Sequence, residues 1–271
     1  MDFQPWPKQI KPYCPNPHSL DELKQLLTDW GYKYEVLTTF TDEPQEVGVQ
    51  LHNQPKLTEL WGHLLATFPE LGFWPLYSKG FDRELDAPCV QDIGTASRFY
   101  AYNTLPWFEN IIEQGWNNPT FPELTDERLE SFADFHTFNA LTANSFNSEV
   151  LDMVDDDGNF KGSLLIVPTT RPADAPAAVG WMGAINFGYT GATISTVLRS
   201  WEERFGAILI RLDSDQVLLW PWEFRPLTDN QLINLTLEHY IFCPDNIDQS
   251  SETFPEYGNT LQNKMWLFWW D

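Results

Sequence analysis

The sequence predicts an α+β fold, a mixed and largely antiparallel sheet flanked by helices. Two observations carry this expectation. Apolar residues recur at helical spacing in separated stretches closed by Gly or Pro. Between them lie paired runs of apolar, β-prone residues joined by short polar turns, the chemistry of hairpins. The mixture of the two signals is what assigns the class.

Residues 1–18 hold Pro5, Pro7, Pro12, Pro15 and Pro17 around Trp6 and Tyr13, which prevents helix and predicts an extended arm packed through its aromatics. Ser19-Leu20-Asp21-Glu22 reads as a capping box, and Leu23, Leu26, Leu27 and Trp30 continue at helical spacing until Gly31. Residues 32–39 and 47–51 read as two strands about the turn Thr41-Asp42-Glu43-Pro44. Leu57, Leu60, Trp61, Leu64, Leu65 and Phe68 predict a helix ended by Pro69, followed by a short strand over 73–76. Leu129, Phe132, Phe135 and Phe138 predict a helix over about 125–141, and residues 150–154 and 162–167 a hairpin about Asp155-Asp156-Asp157-Gly158-Asn159. The Pro- and Ala-rich residues 169–178 read as loop. A helix over 193–205 turns Ile194, Val197, Leu198 and Trp201 inward and stops at Gly206. Residues 207–212 and 216–222 form a second hairpin. Thr228-Asp229-Asn230-Gln231 opens a helix carrying Leu232, Leu235, Ile241 and Phe242 that Pro244 ends. A last helix over 254–262 leads into Met265-Trp266-Leu267-Phe268-Trp269-Trp270, expected as a buried strand. The organisation expected is an aromatic-rich region over 1–179, packed on an α+β domain over 180–271.

Composition narrows the partners. The 271 residues carry 16 Lys+Arg against 39 Asp+Glu, a net charge of −23, and a surface this negative repels phosphate backbones and anionic lipid. Nucleic acid and membranes are therefore not expected as partners. With 42% hydrophobic residues and 13 Trp the chain is a folded protein, not an acidic disordered tail. No apolar run is long enough to span a bilayer, and the N-terminal residues lack a basic segment followed by an apolar one. Three widely spaced cysteines, Cys14, Cys89 and Cys243, do not make a disulfide framework and suggest a reducing compartment, so the cytoplasm is expected.

No phosphate-binding lysine loop, dinucleotide glycine fingerprint or Gly-x-Ser-x-Gly elbow is present, so no cofactor and no catalytic residue is assigned. An Asp-rich stretch at 152–158 fails as a calcium loop, because Met153 and Leu164 would fall where the first and twelfth ligands belong. Cys14 with His18 and His239 with Cys243 are isolated pairs at a non-standard spacing, and no metal site is expected. His239 and Cys243 could meet at a helix end, but a thiol there faces the negative end of the helix dipole, so a structural cysteine is expected. Arg199 lies one turn from both Glu202 and Glu203, which predicts charges paired along one helix face. The functional alternative makes Arg199, Glu202 and Arg204 the walls of a ligand groove with Trp201 as its floor.

Three separated blocks carry a resemblance. The run 197–207 (Val-Leu-Arg-Ser-Trp-Glu-Glu-Arg-Phe-Gly-Ala), Glu238-His239-Tyr240 leading into Phe242-Cys243-Pro244-Asp245, and the terminal Phe268-Trp269-Trp270-Asp271 resemble the bacterial domain-of-unknown-function family 4253 over about residues 180–271. Gly72-Phe73-Trp74-Pro75-Leu76 is a weaker match to its preceding region. The resemblance implies a fold and supplies no catalytic residues. The candidate ligand- or partner-binding residues are Arg199, Trp201, Glu202, Arg204, Glu238 and Asp245. High negative charge with many aromatics predicts an acidic binding protein, with an immunity-type inhibitor of a cationic protein or toxin as its specific form. An enzyme with a pocket near Arg199, Glu238 and Asp245, and a scaffold module of a larger assembly, are the alternatives.

Overall fold

Ser19 Oγ accepts the Glu22 N–H while the Glu22 carboxylate accepts the Ser19 N–H, a complete capping box that opens α1 (Leu20–Asp29) as expected. The computed structural model describes residues 13–81, 85–89, 153, 161–221, 227, 229–250, 253–261 and 265–271. The predicted helix over about 125–141, the first strand of the 150–167 hairpin apart from Met153, and the first twelve residues of the arm lie outside the described residues.

β1 (Glu35–Thr38) and β2 (Glu46–His52) pair antiparallel, β1 being shorter than the expected 32–39 and irregular at Leu37/Thr38. α2 (Leu57–Leu71) runs through Pro69 instead of stopping before it. Proline lacks only the N–H that would reach back one turn, and in a last turn the Gly72 N–H still closes the end on the Phe68 carbonyl at 2.8 Å. β3 (Phe73–Ser78) and β4 (Ser163–Pro168) follow. Residues 169–178 are not loop. They form a buried 3₁₀ turn over Pro172–Asp174 and a short helix α3 (Ala175–Val179), because Pro172 and Pro176 stand at the first and second helical positions, where a missing N–H is harmless. α4 (Gly191–Phe205) begins two residues earlier than expected, its N-terminus capped by the Thr190 hydroxyl, and ends on Gly206 at φ 62°. β5 (Ala207–Leu212), β6 (Gln216–Pro221), α5 (Asp229–Phe242), α6 (Asp245–Asp248), α7 (Phe254–Thr260) and β7 (Trp266–Trp269) complete the described elements. Among these residues no helix is long and apolar enough to cross a membrane.

The seven strands form one sheet in the order β1-β2-β4-β3-β5-β6-β7. Neighbours are antiparallel except β3 with β5, so the mixed, largely antiparallel α+β architecture is the one observed. Alternate residues of β4 divide the core. Leu164 and Ile166 pack with Leu23 and Leu27 of α1 and Leu60 and Leu64 of α2, whereas Leu165 and Val167 pack with Trp74 and with Ile194, Leu198 and Trp201 of α4. The arm joins this frame: the Cys14 N–H donates to the Thr170 carbonyl at 2.8 Å and the His18 N–H to Leu71 at 2.9 Å. Gly72 lies beneath it at φ +71°, where a Cβ would stand 2.4 Å from Pro17 Cβ, so no other residue fits.

The sheet runs across residue 180, and its seam is β3 against β5. One parallel pair, Tyr77 with Arg211, is registered there, and a side chain supplements the backbone: buried Trp74 Nε1 donates to the Leu209 carbonyl at 2.9 Å. Trp74→Phe leaves that carbonyl without its indole donor, and the expected cost is about 1–3 kcal/mol, read as a lower urea midpoint. An unchanged midpoint would show that the seam does not rely on the indole.

Candidate functional site

Helix α4 organises the polar interior of the C-terminal region. On one side Arg199 grips Asp174 with two bonds, Nε to Oδ1 at 2.5 Å and Nη2 to Oδ2 at 2.7 Å, and Thr170 Oγ1 adds a third donor to Oδ2 at 2.7 Å. Glu202 accepts from Arg171 Nε at 3.3 Å and from the Ala173 N–H at 3.1 Å. On the other side Arg204 binds Glu238 of α5 through both terminal nitrogens, Nη1 to Oε1 at 2.8 Å and Nη2 to Oε2. Trp201 Nε1 donates to the same Oε2 at 2.7 Å.

The expected pairing of Arg199 with Glu202 is therefore corrected, while the Glu203 side chain, the other expected partner, lies outside the described residues. Arg199 and Glu202 reach past each other to the 3₁₀ turn, because Asp174 and Arg171 offer buried partners that a solvated i,i+3 or i,i+4 contact cannot match. Trp201 is 1% exposed and forms core against Phe268, whose ring stacks at 5.1 Å, so it is not an open floor. Asp245 stands apart from the other five candidates and accepts the Asp271 N–H at 3.0 Å, tying α6 to the residues after β7.

His239 is buried beside this network. Asn246 Nδ2 donates to the Tyr257 hydroxyl at 3.0 Å, and His239 Nδ1 lies within hydrogen-bond distance of the same hydroxyl at 3.1 Å. Among the described residues His239 Nε2 has no hydrogen-bond partner. It sits among aromatic rings instead, Trp201 and Trp266 at 4.7 Å and Phe268 at 4.8 Å between centroids. Burial, reinforced by the Arg204 charge, holds its pKa well below the usual imidazole range. Burial also pushes the Cys243 thiol up, and Sγ donates to the Trp269 carbonyl at 2.8 Å rather than meeting His239. The thiol is structural. Glu202 is pushed up to about 7, again by burial, with Arg171 only partly opposing it.

Arg171, Asp174, Asn246 and Tyr257 are absent from the sequence-derived candidates. Their partners lie 31, 25, 11 and 18 positions away, and no local pattern marks them. A second polar cluster joins Ser163 Oγ to His52 Nδ1 at 2.5 Å, with Glu35 Oε2 3.7 Å from His52 Nε2. Ser163 is 3% exposed and sits directly opposite His52 in the β2–β4 register. Among the described residues no group of His, Cys, Asp or Glu could hold a metal ion.

Two outcomes follow. Glu238→Ala leaves the Arg204 charge and the Trp201 N–H unpaired and is expected to cost about 3–5 kcal/mol, with much of the loss recovered by replacing Arg204 and Glu238 together with apolar residues. Urea titrations of the single and double variants check this. For Glu202 the folded carboxyl titrates above its ordinary 4.5, at about 7, so the native state binds the extra proton between these values. Its stabilising contribution is present below pH 4.5 and is lost as pH rises through about 7. Glu202→Gln, neutral throughout, should become more stable relative to the parent across that interval. A difference independent of pH would contradict the assignment.

No curated protein and no solved structure matches the chain. The match found starts at the first residue of β4, upstream of the three blocks noted in the sequence, and takes in the 3₁₀ turn, α4, α5 and β7. Residues 163–271, the C-terminal part of the chain that holds the arginine–carboxylate pairs, match the family described as Domain of unknown function (DUF4253).

Proposed function

We propose that the protein is an acidic binding protein that captures a cationic protein partner, in the manner of an immunity-type inhibitor that neutralises a toxin. The observation that supports this is the placement of charge. All four arginines among the described residues are tied to carboxylates whose side chains are 2–7% exposed. The carboxylates left outside include Asp21, Glu35 and Glu59, with side chains 87%, 79% and 74% exposed.

Each of these four pairs is neutral, so the net charge of −23 is carried by the remaining groups, exposed carboxylates among them. A field of that sign repels phosphate backbones and anionic lipid, and it draws in a basic protein at a rate that salt reduces. Nucleic acid and membranes are accordingly not among the proposed partners. The three cysteines are free, which suits a reducing compartment, and the proposal takes the cytoplasm as the place of action.

The experiment is a pull-down of the tagged full-length chain from its own cell at low and then high salt, read by mass spectrometry. A basic protein retained at low salt and released at high salt is the expected result. Recovery of the chain alone at low salt would overturn the reading.

A further inference from the structure

We infer that the outer edge of β1 is the docking site, and that the partner supplies a cationic extended segment which adds to the sheet as a strand. The inference rests on the binding reading above. β1 ends the strand order, bonded to β2 on one side and to no strand on the other among the described residues. The Thr39 N–H turns inward to the Gln45 carbonyl and the Phe40 N–H outward to Leu85, both at 2.9 Å. Backbone groups alternate along a strand, so Val36 and Thr38 direct their N–H and C=O to the same outer edge as Phe40. Leu85 occupies one end of that edge, and residues 36–38 lie before it.

The side chains around this edge specify the segment. Val36 is 36% exposed and Phe40 65%, two of the five exposed large apolar residues described, and an aromatic in such a place is a contact anchor. Carboxylates surround them: Glu35 and Glu46 have side chains 79% and 50% exposed, and Asp42 and Glu43 are exposed on the adjoining turn. Of the cations near them, Lys24 is held by Asp21 at 2.7 Å and Glu46 at 2.6 Å, and Lys33 is exposed just ahead of the strand. An incoming strand that alternates apolar residues with Lys or Arg meets both features, since its side chains point to opposite faces in turn. The same carboxylates guard the edge against a second copy, whose β1 would bring Glu35 against like charge.

The test uses the full chain and a short labelled peptide alternating Lys with Val, alongside a peptide of the same composition with Lys and Val in separate blocks. Binding is followed by fluorescence anisotropy, and the amides of Val36 and Thr38 by hydrogen exchange. The alternating peptide is expected to bind more tightly than the block peptide and to slow exchange at both amides. Val36→Pro removes an outward N–H and leaves the ladder to β2 intact, and Phe40→Ser removes the aromatic contact. Each should weaken binding by roughly tenfold, while Glu59→Gln on α2 leaves it unchanged. Phe40→Ser keeps the question open to an answer if the proline variant fails to fold.

Equal binding of the two peptides, no binding of either, or insensitivity to both variants would overturn the inference. So would a dimer in wild-type sizing that Val36→Pro abolishes, since it assigns the edge to a second copy. In the host pull-down, a basic partner retained equally by wild type and both variants defeats the edge and spares the binding reading. A wild type that retains none defeats the binding reading itself.

Discussion

Two bidentate arginine pairs, Arg199 with Asp174 and Arg204 with Glu238, clamp helix α4 between the 3₁₀ turn and α5, and the C-terminal core is assembled against that helix. Each carboxylate is at most 4% exposed on its side chain, and each arginine keeps 22–27% of its side chain in solvent. The geometry is the one a buried anion requires: several donors close at hand and a counter-charge that is only partly desolvated. Between the two clamps Trp201 places its indole N–H on Glu238 and its ring against Phe268, Phe242, Trp266 and His239. The polar clamp and the aromatic core therefore share one residue, so loosening the first disturbs the second.

The clamp also governs the electrostatics outside. Arg211 repeats the pattern at the β5–β6 turn, where it binds Asp213 and Gln216 and lies over the Tyr77 ring. The described arginines are taken up in this way by carboxylates of the C-terminal region. The helix α1, the strand β1 and its turn carry exposed carboxylates beside exposed Val36 and Phe40. The proposed cationic partner would thus meet apolar contacts on the N-terminal side of the sheet, away from the arginine clamps.

Much of the fold was legible because its signals are local. The capping box at Ser19, the left-handed Gly206 and the hairpin through Asp213 are decided within a few residues, and the α+β class follows from such signals. The errors came where a local rule met a tertiary one. Pro69 reads as a stop but costs only one bond in a last turn, and the Pro/Ala stretch at 169–178 reads as loop but is held helical by packing under α4. The candidate residues were partly legible: Arg204, Trp201 and Glu238 do meet, because sequence blocks placed them on facing helices. The pairing of Arg199 with Asp174 was not, since nothing near position 174 announces a buried anion.

The account's central claim is that negative charge placed outside, with arginines neutralised inside, captures a cationic protein. The most direct measurement is the association rate constant between this chain and the basic partner recovered from its cell, followed by stopped flow as ionic strength is raised. The account predicts an association rate that falls steeply with salt while the dissociation rate changes little. An association rate indifferent to salt would contradict it.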